Sequence, residues 1–481
     1  MIFLKPNILF IVLDSLRSDK FHGPNKTSIT PNLDSFIKKG IYFNECVSSA
    51  PSTVPSVASM ITSLYPFECI IQDKRIFTIN PKSTTYIKIL KKFGYNTYTT
   101  YQDVIYFLGL DKIFDFTETY PVSSQLWNGL GKQILDKIDS NFMKKPWFYY
   151  LQLYDLHLLT FTKNYRLKNG PKEITDEKFG INQYERLVSA MDPWIGKILD
   201  KVDLQNTLVI ITSDHGLEAA SYTGDLEDFN DKNIEARQYT PGIFYKIAHK
   251  ITELTPNSLS LYRKKIAQLY TKRAEKIVKK RMQPKHEEID AQSLSPYQQR
   301  LMRSSVWRFP FVYDERFRIP LLFLGYGLPS EKQVKQQVRS IDIFPTILDI
   351  VGLEKNSLGH GKSLLPLIHK KPYEELPAFL EGTGNAPKYY NKNIIGIRTS
   401  SYKYFRDKYD NSFKVHLYEL KNDPLEENNI AEKNPEMVKK MEEILNRLQN
   451  ERGFDYEESE QIMDKDEEKK IEEELRKLGY V

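Results

Sequence analysis

Apolar positions along the chain gather into short unbroken runs separated by amphipathic stretches, and this alternation predicts the architecture. Residues 7–14, NILFIVLD, are a continuous apolar run closed by an acid, as in a strand buried on both faces of a sheet. Residues 30–40, TPNLDSFIKKG, switch to a helical period, with Pro31 where a helix begins and Gly40 where it ends. TTYIKILKKFGYNTYTTY, residues 84–101, repeats the order helix, glycine, strand. PWFYYLQLYDLH (146–157) reads as a strand, YERLVSAMDPWIGKILDKV (184–202) as a helix and NTLVIITSDHG (206–216) as another buried strand. RIPLLFLG (318–325) and SIDIFPTILDIVGL (340–353) continue with a strand and a helix. The expectation is an α/β chain with a doubly wound, mostly parallel sheet flanked by helices.

A smaller α+β unit is predicted over 385–455, where IIGIRTSSYKYFRD and KVHLYEL read as paired strands and PEMVKKMEEILNRL as a helix. Residues 1–380 form the main domain and 456–481 a charged helical tail. Within the main domain, 225–308 break the rhythm: residues 246–285 hold 12 Lys or Arg against 2 Glu, a local +10 in a chain of net charge +6. The remainder is therefore slightly acidic. This basic helical insertion has three readings: a solvated lid, a surface for anionic lipid or polyanionic glycan, or a nucleic-acid contact. The last is disfavoured by the absence of a recognition motif.

The 481 residues are 40% hydrophobic and 27% charged, ample for a large core. The N-terminal apolar run is ended by Asp14 and reads as a strand rather than a signal peptide, and no run of about 18 apolar residues occurs. Cytoplasmic localisation, with peripheral contact at a membrane through the basic insertion left open, is the expectation. Two cysteines, Cys46 and Cys69, offer no metal knuckle.

Two predicted strands end in acids, Asp14 and Asp214, the latter followed by His215. The carboxyl ends of strands in an open α/β sheet share one edge, so these residues are candidates for a common divalent-metal site; each acid alone reads more simply as a loop or cap residue. In SSAPSTVPSVASMITSLYP (48–66), Thr53 precedes Pro55 at the predicted start of a helix, where free N–H groups favour an anion. Such a threonine is ordinarily an N-cap; beside a metal it becomes a candidate nucleophile. Asp155 and His157, at alternating positions after a strand, are candidates for facing the pocket together, with a buried ion pair or a solvated loop as the plainer reading.

In this order, the segments KPNILFIVLDSLRSD, TPNLDSFIKKGIYFNECVSSAPSTVPSVASMITSLYP, YDLH, TSDHG, FRIPLLFLG, IDIFPTILDIVGL, HGKSLLPL and GIRTSSYKYF with HLYELKNDPLEENNIA resemble the sulfatase family of the alkaline phosphatase superfamily. The resemblance implies that Asp14, Asp214 and His215 bind metal, that Thr53 stands at the nucleophile position, and that His157 touches the substrate anion. One divalent ion (Zn, Mn, Ca or Mg) is expected rather than two; a second would draw on Asp155, His157 and His360. Lys403 lies in a family signature and is a further site candidate.

Two positions depart from the family pattern. The frame Cys/Ser-x-Pro-x-Arg, oxidised to formylglycine, is here Thr53-Val54-Pro55-Ser56-Val57, and Ser15 stands where many sulfatases have a second metal-binding aspartate. An unmodified threonine is what phosphodiesterases and phosphotransferases of the superfamily use. The expectation is a formylglycine-independent, metal-dependent hydrolase or transferase of sulfuric or phosphoric esters, with phosphoesters preferred. Its substrate is expected to be an anionic ester of a polysaccharide, lipid-linked sugar or phospholipid. The alternative is a catalytically decayed relative that binds anionic glycans or lipids through the basic insertion.

Overall fold

The computed structural model describes residues 5–73, 76–121, 123–140, 142–160, 170–224, 226–227, 293–306, 312–353, 359–382, 394–409 and 414–451. The basic insertion lies outside them except for residues 226–227 and 293–306, and the charged tail 456–481 lies outside them entirely.

In chain order the strands are β1 (Asn7–Leu13), β2 (Ile41–Val47), β3 (Ile70–Asp73), β4 (Ile76–Ile79), β5 (Asn96–Gln102), β6 (Phe116–Tyr120) and β7 (Trp147–Leu153). They continue with β8 (Thr207–Thr212), β9 (Arg318–Gly325), β10 (Lys332–Arg339), β11 (Ala378–Glu381), β12 (Ile394–Arg398), β13 (Tyr402–Asp407) and β14 (His416–Glu419). Eight build one sheet in the order β10-β2-β9-β8-β1-β7-β5-β6. Every neighbouring pair is parallel except those made by β9, so β9 alone runs against the rest. The apolar run RIPLLFLG is thus a strand, as its composition predicts, in the direction that composition cannot reveal.

β1 lies at the centre, with β7 on one side and β8 on the other, and every residue of these three strands is buried. That burial is why they read as unbroken apolar runs. Phe10 of β1 stacks on Tyr150 of β7 and on Phe344 of the helix Ile343–Ile350, at ring-centre distances of 5.6 and 5.1 Å. Each such fully buried aromatic contributes about 1.5–3 kcal/mol. Helix Pro31–Lys39 begins at Pro31, and the buried Asp192 caps it by accepting from the N–H groups of Asn32 (3.1 Å) and Leu33 (2.8 Å). Among the described residues no helix is long and apolar enough to cross a membrane.

The small antiparallel sheet, β11-β12-β13-β14, packs with helix Pro435–Asn450. It begins with β11, upstream of residue 385. Arg398 of β12 joins it to the large sheet. Its guanidinium meets Asp314 (2.8 Å), Glu45 of β2 (2.7 Å) and Gln337 of β10 (2.7 Å), and Glu45 and Gln337 are themselves register partners.

Candidate metal and nucleophile site

Register brings the site together. Val12 of β1 is level with Gln152 of β7 and Thr212 of β8, so the residues that follow these strands leave the sheet at one edge. Asp14 follows β1 directly, its N–H donating to Leu153 O (2.9 Å). Asp214 and His215 follow β8 after Ser213, whose hydroxyl ties the two loops by accepting from Leu16 N–H (2.9 Å) and donating to His215 O (2.7 Å).

Gly216 closes the second loop. Its N–H donates to Arg316 O (2.8 Å), and a β-carbon there would lie 2.2 Å from Glu315 O. Only glycine allows the loop to approach so closely.

The ligating atoms of Asp14, Asp214 and His215 all lie within 4.8 Å of one another, and all three residues are buried. Three features fit a divalent cation. Asp214 Oδ2 is buried with no hydrogen-bond partner. His215 Nδ1 faces Gly216 O at 2.8 Å and must donate to it, which leaves Nε2 with its lone pair turned towards the site, 3.6 Å from Asp214 Oδ2. Burial, and then the neighbouring Asp214, push the Asp14 carboxyl well above its ordinary range. Two carboxylates and an imidazole lone pair, all acceptors, would be held by Zn²⁺ or a harder divalent ion.

Thr53 is the first residue of helix Thr53–Thr62; the N-cap is Ser52, in extended conformation. Thr53 Oγ1 lies 3.2 Å from Asp14 Oδ2 and 3.4 Å from His215 Nε2. The side chain is therefore free of a capping role and turned into the cluster.

Ser15, in the left-handed region at φ 65°, serves three neighbours. Its N–H donates to Asp214 Oδ1 (3.1 Å), its hydroxyl donates to Asp14 Oδ1 (2.9 Å), and the same hydroxyl lies 3.4 Å from His157 Nδ1. His157 thus reaches the cluster through Ser15.

The joint placement of Asp155 and His157 requires correction. The strand ends at Leu153, and Asp155–Thr160 form a 3₁₀ turn, so the alternation that would align the two side chains no longer applies. Asp155 accepts from Leu126 N–H (2.9 Å).

His360 and Lys403 are also engaged elsewhere. His360 meets the Glu68 carboxylate (2.9 Å) and stacks on Tyr65, and the fully buried Lys403 pairs with Asp314 and Glu426 (2.8 Å). Among the described residues, the only group of three or more metal-ligating side chains is Asp14, Asp214 and His215.

Gln152 contacts the site without having been a sequence candidate. Its Nε2 donates to Asp14 Oδ2 (2.9 Å). The available signal was a lone amide inside the aromatic strand WFYYLQL, since a buried amide needs partners.

The chain also has recognisable relatives. The family model described as Sulfatase matches residues 6–266, and that described as N-sulphoglucosamine sulphohydrolase, C-terminal, matches residues 306–452. Arylsulfatase K of Mus musculus is 25% identical over 483 residues, covering 92% of this chain and 79% of that protein. Arylsulfatase K of Gallus gallus is 31% identical over 148 residues, a match spanning 29% of this chain and only 27% of the relative.

Among solved structures, Ps i-CgsB superposes with a TM-score of 0.58 at 17% identity, covering 98% of each chain; it has also been solved with k-i-k-neocarrahexaose. BT4656, solved with its substrate D-glucosamine-2-N,6-O-disulfate, gives 0.60 at 17% identity, covering 94% of this chain and 100% of that one. At these identities the structural likeness speaks for the fold.

Proposed function

Because the chain belongs to the sulfatase family, hydrolases of sulfate esters, we propose that it is a metal-dependent hydrolase or transferase of anionic esters working through an unmodified Thr53. The observation that carries this reading is the position of Thr53 Oγ1, 3.2 Å from Asp14 and 3.4 Å from His215 within the acceptor cluster. A divalent cation held by Asp14, Asp214 and His215 would supply the positive charge that lowers the hydroxyl pKa and offsets charge on the ester oxygens.

The chain's own groups supply the remainder. Thr53 Oγ1 attacks the central phosphorus or sulfur, forming the threonyl ester as the bond to the leaving alkoxide breaks. The hydroxyl proton departs along the hydrogen bond already directed at Asp14 Oδ2. Water or an acceptor alcohol then displaces Thr53. His157 holds the substrate anion from the side of Ser15.

The side chain itself favours phosphoesters. Oxidation of a threonine side chain gives a ketone rather than an aldehyde, so the hydrated-aldehyde exit of a formylglycine enzyme is closed. A phosphothreonine, by contrast, is resolved by direct attack at phosphorus. The neighbours solved with a carrageenan hexaose and with glucosamine disulfate support an anionic saccharide ester as substrate class, ahead of lipid-linked sugars and phospholipids.

Nitrophenyl phosphate monoester, diester, phosphonate and sulfate, assayed with Mn²⁺ or Zn²⁺, test the proposal. Turnover is expected on at least one phosphoester, lost on chelation, and reduced by about 10³-fold or more in Thr53→Ala. Turnover that survives Thr53→Ala removes the nucleophile. Absence of metal-dependent turnover on all four, with polyanion binding intact, favours the decayed binding protein.

A further inference from the structure

We propose that Gln152 is the positioning residue that aims Asp14 between the bound cation and Thr53, and that Tyr150 in turn sets Gln152. This inference rests on the reading of Asp14, Asp214 and His215 as a metal site. Tyr150 and Gln152 share one face of β7, and Gln152 is level with Val12, two residues before Asp14.

Tyr150 hydroxyl donates to Gln152 Oε1 (2.9 Å), and Gln152 Nε2 donates to Asp14 Oδ2 (2.9 Å), the oxygen that also accepts from Thr53. Both Gln152 and Tyr150 are buried, with Gln152 at 0% exposure. The backbone is held too: Gln152 O accepts from Tyr120 hydroxyl (2.7 Å), and that hydroxyl accepts from Tyr154 N–H (3.1 Å).

The direction of the chain is determined by chemistry. A flipped amide would set its oxygen against the Asp14 carboxylate and its NH₂ against a hydroxyl that would then have to accept, so the observed orientation is the one that satisfies all three groups. A carboxylate with one oxygen fixed by a buried amide has its remaining lone pairs aimed without further ordering on cation binding. Outer hydrogen bonds of this kind set ligand orientation, and their loss typically costs 10- to 100-fold in metal affinity.

Titration of the whole chain with Mn²⁺, followed by calorimetry, tests the proposal without recourse to turnover. Gln152→Leu is expected to raise the Mn²⁺ Kd by about 10- to 100-fold. Tyr150→Phe, which removes one oxygen and keeps the ring, should raise it less, by about 2- to 10-fold. Leu151→Ala, a core truncation on the same strand, should leave it within about twofold.

A folded Gln152→Leu protein with wild-type affinity overturns the proposal, as does a loss in Leu151→Ala equal to that in Gln152→Leu. If Gln152→Leu does not fold, an unchanged Kd in Tyr150→Phe overturns it. Failure of the wild-type chain to bind Mn²⁺ overturns the underlying metal site as well, which separates the two failures.

Discussion

Asp155 is a carboxyl whose setting is dominated by desolvation: one oxygen accepts from Leu126 N–H, the other is buried without a hydrogen-bond partner, and burial raises its pKa to about 7. The sign follows from linkage. The folded chain keeps the proton up to about pH 7 while the unfolded chain loses it near pH 4, so stability from this group is full in acid and drains as pH rises between those values. Asp155→Asn keeps an oxygen for Leu126 and has no charge to bury. Its melting temperature should exceed wild type clearly at pH 7.5 and little at pH 4.5, with about 1.4 kcal/mol for each pKa unit removed. An equal difference at both pH values would refute this. At this scale the sequence was legible where a residue type is rare in its setting, as with the strand-end acids Asp14 and Asp214. It was not legible where several partners compete: nothing in SLGHGKSLLPL indicates that Glu68 takes His360, or in SSYKYF that Asp314 and Glu426 take Lys403.

The candidate site sits on loops that follow strands, and the one after β8 depends on how closely it can approach the short helix Asp314–Phe317 that leads into β9. Gly216→Ala would press a methyl carbon against the backbone oxygen of Glu315, 2.2 Å away. A loss of about 1–3 kcal/mol in urea unfolding is expected, together with weaker divalent-ion binding, because the same shift carries His215 away from Asp214. Wild-type stability in that variant would mean the loop yields elsewhere. Buried central strands announced themselves through unbroken apolar runs; edge strands did not. β10, KQVKQQVR, has only Val334 and Val338 as apolar residues and carries a register shift, and β6, FTETY, is exposed over its first four residues. β2, IYFNECV, was obscured by Asn44 and Glu45, of which Glu45 turns to meet Arg398. The reversed direction of β9 depends on which strands it lies between, which no local pattern encodes.

Across the whole molecule, the two sheets are joined by charge as well as by apolar contact. Asp314, although burial alone would raise its carboxyl, is held far below the usual carboxylate range by Arg398 and Lys403. Arg398→Met would leave Asp314 and Glu45 short of a partner and should cost about 3–5 kcal/mol in denaturant unfolding. A single cooperative transition should persist at lower midpoint, and a variant as stable as wild type would show the network to be dispensable. The same anchor bears on how the two sheets can move. Rocking the C-terminal sheet away from the large one would break the Arg398 contacts with β2, with β10 and with Asp314 together, so hinge opening between the sheets is opposed by all three at once. The C-terminal sheet is therefore pinned to β2, β10 and Asp314 by a single guanidinium, so that any motion of one sheet is passed to the other through Arg398.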